Sequence, residues 1–262
     1  MTELIAQAEF LPLWAVFLVT AGGFLSIYVG LGFTTQWLTR RVFPSLGIGR
    51  PLGTGRLLPG QPRHEVLGSL LSIAIFGGYG VLTVWMSRMG WVRIIWEPRW
   101  ALLPLELLWL TLFNDLHFYA CHRLLHTPWL YKRVHRAHHL SVTPTPWATY
   151  SFHWVESTLL GSVMICSMVF FDLGAMAVLL FPLVSLTLNN LGHMNYDLVP
   201  GRSTWHPLAA SRRHALHHSR VGGNFGFMLP VVDWALGTAF PPELEERLAE
   251  KAPVPSQGSR AA

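Results

Sequence analysis

The sequence predicts an all-α integral membrane protein with four to five membrane helices and a histidine-rich helical cap on the cytoplasmic side. Composition is the first reason, because 51% of the 262 residues are hydrophobic and only 13% are charged, whereas soluble domains carry about 25% charged residues. The second is a series of apolar runs near the length of a membrane-crossing helix, about 20 residues. The third is that twelve of the 13 histidines lie between His117 and His218.

Three apolar runs occur in the first half of the chain. Residues 11–33 and 66–85 are each long enough to cross a bilayer. The start of the sequence, MTELIAQAEF, has no basic residue, so it does not predict a cleavable signal peptide, and the first run is expected to be a retained span. The third run begins at residues 101–113 and continues without a break into the stretch NDLHFYACHRLLH.

The last apolar stretch, residues 155–191, is too long for a single membrane helix and is interrupted at Asp172. The interruption predicts an antiparallel hairpin of residues 155–171 and 173–191. The hairpin either crosses the bilayer fully or enters it and returns to the same side, and the sequence leaves both arrangements open.

The basic residues predict the orientation. Segments 34–65, 114–154 and 192–262 hold 16 of the 19 Lys and Arg residues, and such residues concentrate on the cytoplasmic side of membrane proteins. We therefore expect an inner-membrane protein whose N-terminus lies outside and whose histidine-rich segments and C-terminus lie in the cytoplasm. The other three, in residues 86–100, alternate with tryptophans, which favours a loop along the interface.

Three regions follow from this layout. Residues 1–100 are predicted to form the N-terminal membrane helices and the interfacial loop, residues 101–240 the histidine-bearing di-metal domain, and residues 241–262 a flexible tail with a short surface helix. Because the basic residues lie between apolar runs, membrane topology explains them and a nucleic-acid partner is not expected.

Eight of the histidines form three short motifs, HRLLH, HRAHH and HALHH. They are His122 and His126; His135, His138 and His139; and His214, His217 and His218. Residues i, i+3 and i+4 share one face of an α-helix, so each motif is expected to project its imidazoles in one direction. Imidazole binds iron, zinc, copper and nickel. Eight imidazoles exceed the four ligands of a closed zinc site, so the motifs predict two metal ions with open coordination positions, which O2 requires.

The remaining histidines receive different predictions. His193, in NNLGHMNYD at the membrane edge, is expected to be a ninth ligand. His153 is either a ligand or a partner of one. His117 lies five residues before the first motif and should point about 140° away from it. His64 and His206 are expected to have no role in the site.

Carboxylates near the histidines are expected to support the ligands, because a ligating histidine normally donates its second N–H to a carboxylate or a carbonyl. Candidates are Asp115, Glu156, Asp197 and Asp233. Asp115 has the best position, one or two helical turns before the first motif. Asp115, Glu156 and His153 make up the predicted catalytic residues beside the metals. Cys121, next to the first motif, is predicted to be a small buried apolar residue rather than a thiolate ligand.

The order and content of the motifs resemble the fatty acid hydroxylase and sterol desaturase superfamily. The resemblance covers residues 107–240 and extends to the segments NDLHFYACHRLLH, GHMNYD and HALHHSRVGGNFGFMLPVVDWALGT. Two positions depart from the family pattern. The segment HWVE lacks the proline of the His-Pro-x-acid found in many members, and Asp197 stands where some members have a further histidine.

The resemblance implies a helical membrane base with a cytoplasmic cap that holds two irons. It carries the eight motif histidines over as ligands and supports His193 as the ninth. It also implies an O2-dependent oxidoreductase that hydroxylates a lipid-like, apolar substrate. Because the sequence has neither a dinucleotide-binding glycine motif nor ferredoxin cysteines, electrons are expected from a separate donor such as a ferredoxin and its reductase.

Two alternatives remain open at this point. A desaturase or other oxidase of a sterol or fatty acyl lipid would use the same metal centre and the same motifs. A metal-binding membrane protein without catalytic activity, such as a transporter or a zinc-stabilised scaffold, would instead place ionisable groups along its membrane spans. The predicted spans hold almost none, which favours the oxidoreductase.

Overall fold

The computed structural model describes residues 10–53 and 57–244, and in these two stretches the chain is mainly helical. The α-helices are α1 (Leu13–Trp37), α2 (Phe43–Ser45), α3 (Gln61–Arg88), α4 (Leu103–Leu125), α5 (Pro128–Leu130), α6 (Arg136–His139), α7 (Trp154–Gly161), α8 (Val163–Met168), α9 (Ala175–His193), α10 (Ala210–Arg220) and α11 (Val231–Ala235). Single π-helical turns form at Leu38–Val42 and Tyr131–His135, and 3-10 turns at Pro146–Tyr150 and Pro207–Ala209. The surface helix and disordered end predicted for the tail fall largely on residues 245–262, outside the described residues.

Three helical segments of the described chain are long and apolar enough to cross a bilayer. They are Leu13–Ser45, Gln61–Arg88 and Ala175–His193, and they contain the predicted runs 11–33, 66–85 and 173–191 almost completely. Large apolar side chains cover their outer faces, with Leu18 60% exposed, Phe33 64% and Leu179 60%. Exposed apolar surface of this extent is suited to lipid contact rather than to water.

The two other predicted membrane segments differ from these three. Helix α4 is continuous, as predicted, but its second half becomes polar as it approaches the first histidine motif. The segment predicted over residues 155–171 divides at Ser162 into α7 and α8. Together α7 and α8 span 15 residues, or about 22 Å of helix, which is shorter than the roughly 30 Å hydrocarbon core.

Helices α1 and α3 pack closely because small residues line their contact. A Cβ atom on Gly77 would lie 2.9 Å from Cβ of Ala21, and one on Gly80 would lie 2.5 Å from Oγ1 of Thr20. Small residues let membrane helices approach backbone to backbone. The α1–α3 pair then packs against α9 and the 3-10 turn Pro146–Tyr150, which fixes the wall of the histidine site on that side.

Two short ladders connect the ends of the bundle. At the end opposite the histidines, β2 (Ile94–Ile95) pairs in parallel with β3 (Leu173–Gly174). This pairing ties the 86–100 loop to the turn at Asp172, where Arg93 lies 3.6 Å from the carboxylate. At the histidine end, β1 (Arg50–Pro51) pairs antiparallel with β4 (Tyr196–Asp197). The second ladder holds the segment after α1 against the segment after α9.

Candidate metal centre

All nine histidines predicted as ligands converge at one end of the bundle, in two groups. The five-histidine group contains His122, His126, His135, His139 and His217, and the four-histidine group contains His138, His193, His214 and His218. Hydrogen-bond-length contacts join neighbouring Nε2 atoms at 3.1–3.3 Å in the first group and at 3.0–3.3 Å in the second. Eight of the nine are buried, and His126 is partly exposed. The convergence defines a candidate site for two metal ions.

Each HxxHH motif is divided between the two groups, which differs from the prediction that its imidazoles point one way. His135 and His139 join the five-histidine group, while His138 joins the other. In the third motif, His217 joins the five-histidine group, whereas His214 and His218 join the four-histidine group. The reason is helical geometry, because adjacent residues are about 100° apart on an α-helix. The two histidines of each HH pair therefore face different groups.

The second nitrogen of four of the nine predicted ligands is held by a backbone carbonyl. The Nδ1 atoms of His122, His138, His193 and His217 lie 2.8, 3.2, 2.9 and 2.7 Å from the carbonyl oxygens of Phe225, Ser151, Asn189 and Gly223, respectively. Since a carbonyl oxygen only accepts, each Nδ1 must carry the proton and donate it. The Nε2 lone pair of each ring then points into the group, as a metal ligand requires.

Glu156, a predicted site residue, lies beside one of the nine predicted ligands. Its Oε1 lies 2.8 Å from Nδ1 of His135, and both side chains are 1% exposed. Helix α7 begins immediately before Glu156 and directs the carboxylate into the cap. A carboxylate in this position fixes the tautomer of a ligating imidazole and raises its basicity.

Three other predicted residues lie elsewhere. The Asp115 carboxylate accepts hydrogen bonds from the backbone N–H groups of Met228, at 2.8 Å, and Leu229, so it holds the C-terminal loop rather than a ligating histidine. The Asp197 carboxylate pairs with Arg212 at 2.9 Å, both buried. His153 joins neither histidine group. Its Nδ1 instead accepts from the backbone N–H of Val155 and caps α7.

The histidines assigned no ligand role also remain outside both groups. His117 lies 3.1 Å from the Ser162 hydroxyl, and Cys121 contacts the same ring on the far side of α4 from the ligands. His64 lies 2.8 Å from the carbonyl of Ala137, beside the second motif. His206 caps the short turn that precedes α10.

Asp233 organises the loop whose carbonyls hold His122 and His217. Its carboxylate accepts from the backbone N–H groups of Phe225, at 2.8 Å, and Gly226, at 2.6 Å, and from the Thr238 hydroxyl. Asp233 is therefore not the direct partner of a ligand that its sequence position suggests, and it acts on the histidines only through this loop.

Sequence reasoning missed Glu65. This fully buried carboxylate, near the start of α3, accepts from Gln61 at 2.7 Å, Ser141 at 2.8 Å and Thr145 at 2.5 Å. It fixes the segment that follows the HRAHH motif. Its position at the edge of an otherwise apolar span was an available signal, because ionisable residues near membrane segments are usually functional or paired.

The electrostatics of the cap favour neutral imidazoles. Burial lowers the pKa of His217 to about 4 and lowers the pKa of His135, His138 and His214 well below the ordinary value, with neighbouring imidazoles contributing further. Neutral rings whose lone pairs face each other across about 3 Å repel unless a cation lies between them. Metal–nitrogen bonds of about 2.1 Å at right angles place two nitrogens about 3.0 Å apart. The residues present therefore fit bound metal ions.

A large apolar cavity opens beside the histidines. It has a volume of about 560 Å³ and lies among α1, α3, α4 and α9. Two rings of its wall also contact ligands, with Phe118 centred 4.9 Å from His122 and Phe152 4.9 Å from His138. A molecule in this cavity would be separated from the histidine groups by one layer of side chains.

Comparison with known proteins gives a consistent result. The family model for fatty acid hydroxylases matches residues 107–238. A delta(7)-sterol 5(6)-desaturase of Gibberella zeae is 28% identical over 196 residues, covering 72% of this chain and 60% of the desaturase. Methylsterol monooxygenase 2-2 of Arabidopsis thaliana is 28% identical over 145 residues, or 54% of each chain. A very-long-chain aldehyde decarbonylase of Oryza sativa is 28% identical over 178 residues, covering 64% of this chain and 26% of its own length.

The chain thus spans about three fifths of the sterol desaturase and a smaller share of the other two relatives. No solved structure matches it. The helical fold, the candidate membrane spans and the two converging histidine groups define a class of membrane proteins able to hold two metal ions in a histidine cap. Within that class, the chain belongs to the fatty acid hydroxylase family, in the superfamily that includes the sterol desaturases.

Proposed function

We propose that this protein is a membrane-bound, non-haem di-iron monooxygenase that hydroxylates a C–H bond of a lipid or other apolar substrate. O2 is the co-substrate, and a separate donor such as a ferredoxin with its reductase supplies the electrons. The observation that carries the proposal is the meeting of nine imidazole Nε2 atoms, in groups of five and four, beside an apolar cavity. The printed names of the relatives, which include a sterol desaturase and a methylsterol monooxygenase, support lipid oxidation.

The proposed di-iron domain comprises residues 101–240, and its own residues have defined tasks. The five-histidine and four-histidine groups would each hold one iron, and the pair of irons would supply O2 activation and redox chemistry. Glu156 and the carbonyls of Gly223, Phe225, Ser151 and Asn189 keep the Nδ1 protons in place. The Nε2 lone pair of each of these rings is then available to a metal, and the ring does not have to lose its Nδ1 proton. The apolar cavity admits a lipid and excludes water from the reacting end.

A desaturase is the second candidate, because a sterol desaturase is among the relatives. The same centre would serve both reactions, and they differ in the fate of the substrate. Hydroxylation adds one oxygen atom to the product, whereas desaturation removes two hydrogens. Mass spectrometry of lipids extracted from cells with and without the gene distinguishes the two outcomes.

The test of the metal centre uses the full chain, purified from membranes. We expect about two irons per chain by elemental analysis, and O2 uptake that depends on reductant and substrate. His138→Ala and His217→Ala remove one ligand from each group and should lower the iron content and abolish turnover. His206→Ala is the matched control, because this ring caps a surface turn. Zinc as the only metal, without O2 uptake, would support the non-catalytic alternative and overturn the proposal.

A further inference from the structure

The cavity beside the histidines is long and has an uncharged wall. Along α9 it extends from Ala175 to Asn189, about 21 Å of helix, so it suits an extended molecule. The residues that line it include no Asp, Glu, Lys, Arg or His. A carboxylate or phosphate headgroup would therefore find no counter-charge there, and burial of an unpaired charge is strongly unfavourable. The cavity favours a neutral lipid.

Several polar side chains on this wall already use their hydrogen bonds within the protein. The hydroxyls of Thr20, Tyr79 and Thr83 donate to backbone carbonyls, and the amide of Asn189 donates to the carbonyl of Thr149. The hydroxyl hydrogens of these residues and one N–H of Asn189 are therefore already used within the protein.

Asn114 is different. Its side chain lines the cavity and is only 6% exposed, yet its carboxamide makes no hydrogen bond to any residue in the described part of the chain. A carboxamide has two N–H donors and one acceptor oxygen, and an unpaired one in an apolar site is costly. An amide that faces a cavity without an internal partner is available to a polar atom of the occupant.

The position of Asn114 relates it to the metal centre. It lies on α4 eight residues before His122, a rise of about 12 Å, and Phe118 lies one turn from each of them. Asn114, Phe118 and His122 thus follow one another along α4 from the cavity to the five-histidine group. An atom bound at Asn114 would lie away from the reacting end, so Asn114 can position a substrate but cannot reach the metals.

We propose that the Asn114 carboxamide binds the hydroxyl or carbonyl oxygen of a neutral, otherwise apolar lipid and thereby directs the remote part of that lipid toward the Phe118 and Phe152 rings, which separate the cavity from the histidine groups. The inference rests on the proposed function, because it takes the cavity as the substrate site. It narrows the substrate to alcohols, ketones and esters, and it excludes pure hydrocarbons and free acids as preferred ligands.

The Tyr150 and Ser185 hydroxyls and the Trp96 indole, on the same wall, also make no hydrogen bond to the described residues. The Trp96 indole can only donate, whereas the hydroxyls, like the carboxamide, both donate and accept. Asn114 differs from them in offering two donors and in its position on α4, where Phe118 links it to His122. For this reason the assignment is to Asn114, and Tyr150→Phe serves as a competing variant.

The experiment measures lipid binding by the full-length, iron-loaded protein in nanodiscs without O2, so that no turnover occurs. Two pairs of radiolabelled probes each differ by one oxygen: octadecan-1-ol with octadecane, and cholestanol with cholestane. We expect Asn114→Leu to reduce the alcohol-to-hydrocarbon affinity ratio about tenfold, the effect of losing one hydrogen bond. Comparing ratios between variants cancels the partitioning of each probe into lipid. The pair with the larger ratio identifies a straight-chain or a sterol ligand.

Thr111→Val is the matched control, because its hydroxyl lies on the same helix outside the cavity wall and bonds to the carbonyl of Leu107. It should keep the wild-type ratio. Asn114→Leu removes no internal hydrogen bond, so the fold should persist; a melting temperature and iron content equal to wild type verify this, and Asn114→Ala provides a second variant.

An alcohol-to-hydrocarbon affinity ratio that is unchanged in both Asn114 variants would overturn the proposal. So would a ratio that falls in Tyr150→Phe but stays at the wild-type value in Asn114→Leu. Iron content and O2 uptake, measured on the same preparations, report separately on the proposed function. If the protein binds iron and consumes O2 but its affinity ratio does not depend on Asn114, only the role assigned to Asn114 is contradicted. A protein without iron or O2 uptake contradicts the metal centre, whatever the ratio.

Discussion

At the scale of single residues, the histidine groups depend on which nitrogen of each ring carries the proton. Five of the nine rings have an identified acceptor at Nδ1: four backbone carbonyls and the carboxylate of Glu156. These contacts expose the Nε2 lone pair to the centre of each group. The metal affinity should therefore depend on the acceptors nearly as much as on the ligands themselves.

Glu156→Gln tests this dependence. Glutamine keeps the size of the side chain and an acceptor oxygen but replaces the carboxyl group that lies 2.8 Å from Nδ1 of His135 with an amide, which cannot act as a carboxylate. We expect iron affinity, measured by competition with a chelator, to fall by about 10–100-fold. Glu106→Gln is the control, because Glu106 pairs with Arg99 at the other end of the bundle. Equal affinities in Glu156→Gln and wild type would contradict the role assigned to Glu156.

A pH dependence follows from the buried imidazoles of the metal-free protein. Burial lowers the pKa of His217 to about 4 from its ordinary value of 6.5, so the unfolded chain takes up a proton first as the pH falls. The contribution to stability is complete above about pH 6.5 and is lost between about 6.5 and 4. We expect the melting temperature of the metal-free protein in detergent to decline across this window.

Metal-loaded protein is the comparison for that experiment. Because a bound ion competes with protons for Nε2, its melting temperature should begin to fall at a lower pH than that of the metal-free protein. A melting temperature of the metal-free protein that stays constant between pH 7 and 4.5 would show that these rings are not buried neutral in the fold.

At the scale of elements, the site depends on close packing of α1 against α3. Gly77 is buried, and a Cβ there would lie 2.9 Å from Cβ of Ala21 and 3.0 Å from the Phe17 ring. Gly78, its neighbour on the same helix, faces open space. Alanine substitutions at these two glycines therefore separate the effect of helix packing from the effect of helix propensity.

We expect Gly77→Ala to destabilise the protein by about 1–3 kcal/mol, because the added methyl group forces the helices apart. Gly78→Ala should leave the stability unchanged or raise it, since alanine favours helix more than glycine does. Thermal unfolding in detergent, followed by circular dichroism, compares the two variants. Equal melting temperatures would indicate that α1 and α3 can separate without cost.

The supporting loops show how elements cooperate at the site. Glu65 of α3 holds the segment after the HRAHH motif, and Asp115 of α4 and Asp233 of α11 hold the loop at residues 223–229. Glu65 and Asp115 bond to groups that are distant in sequence, Ser141 at 76 residues and Met228 at 113, whereas the partners of Asp233 lie within eight residues. These acids fix the backbone on which the ligands and their carbonyl acceptors depend.

At the scale of the whole molecule, the proposed orientation places both histidine-rich segments in the cytoplasm. Arg93 lies in the loop at the other end of the bundle, with 73% of its side chain exposed, and Lys132 lies on the exposed surface of the cap. The two positions should therefore lie on opposite sides of the membrane.

Single cysteines at these positions test the orientation in intact cells. With Cys121 and Cys166 replaced by alanine, Arg93→Cys should react with a membrane-impermeant maleimide added outside, and Lys132→Cys only after permeabilisation. The excess of basic residues in the cap segments is the physical reason. The reverse labelling pattern would overturn the orientation, while equal labelling before permeabilisation would contradict a membrane-spanning bundle.

The sequence by itself determined the features that depend on local spacing. Membrane crossing requires a minimum length of apolar residues. The long helices at residues 13–45, 61–88 and 175–193 could therefore be predicted from apolar runs in the sequence. The fixed rise and rotation of a helix made HxxxH and HxxHH recognisable as ligand motifs. All nine predicted ligands consequently lie in the two groups.

Only the tertiary structure decided the arrangement across distant segments. It divided each HxxHH motif between two groups, assigned Asp115 and Asp233 to a loop rather than to histidines, and formed the cavity that contains Asn114. The physical reason is the range of the contacts: the acceptor for His122 is Phe225, 103 residues away. A local pattern fixes the direction of a side chain on its own helix, whereas its partner depends on how separate helices pack.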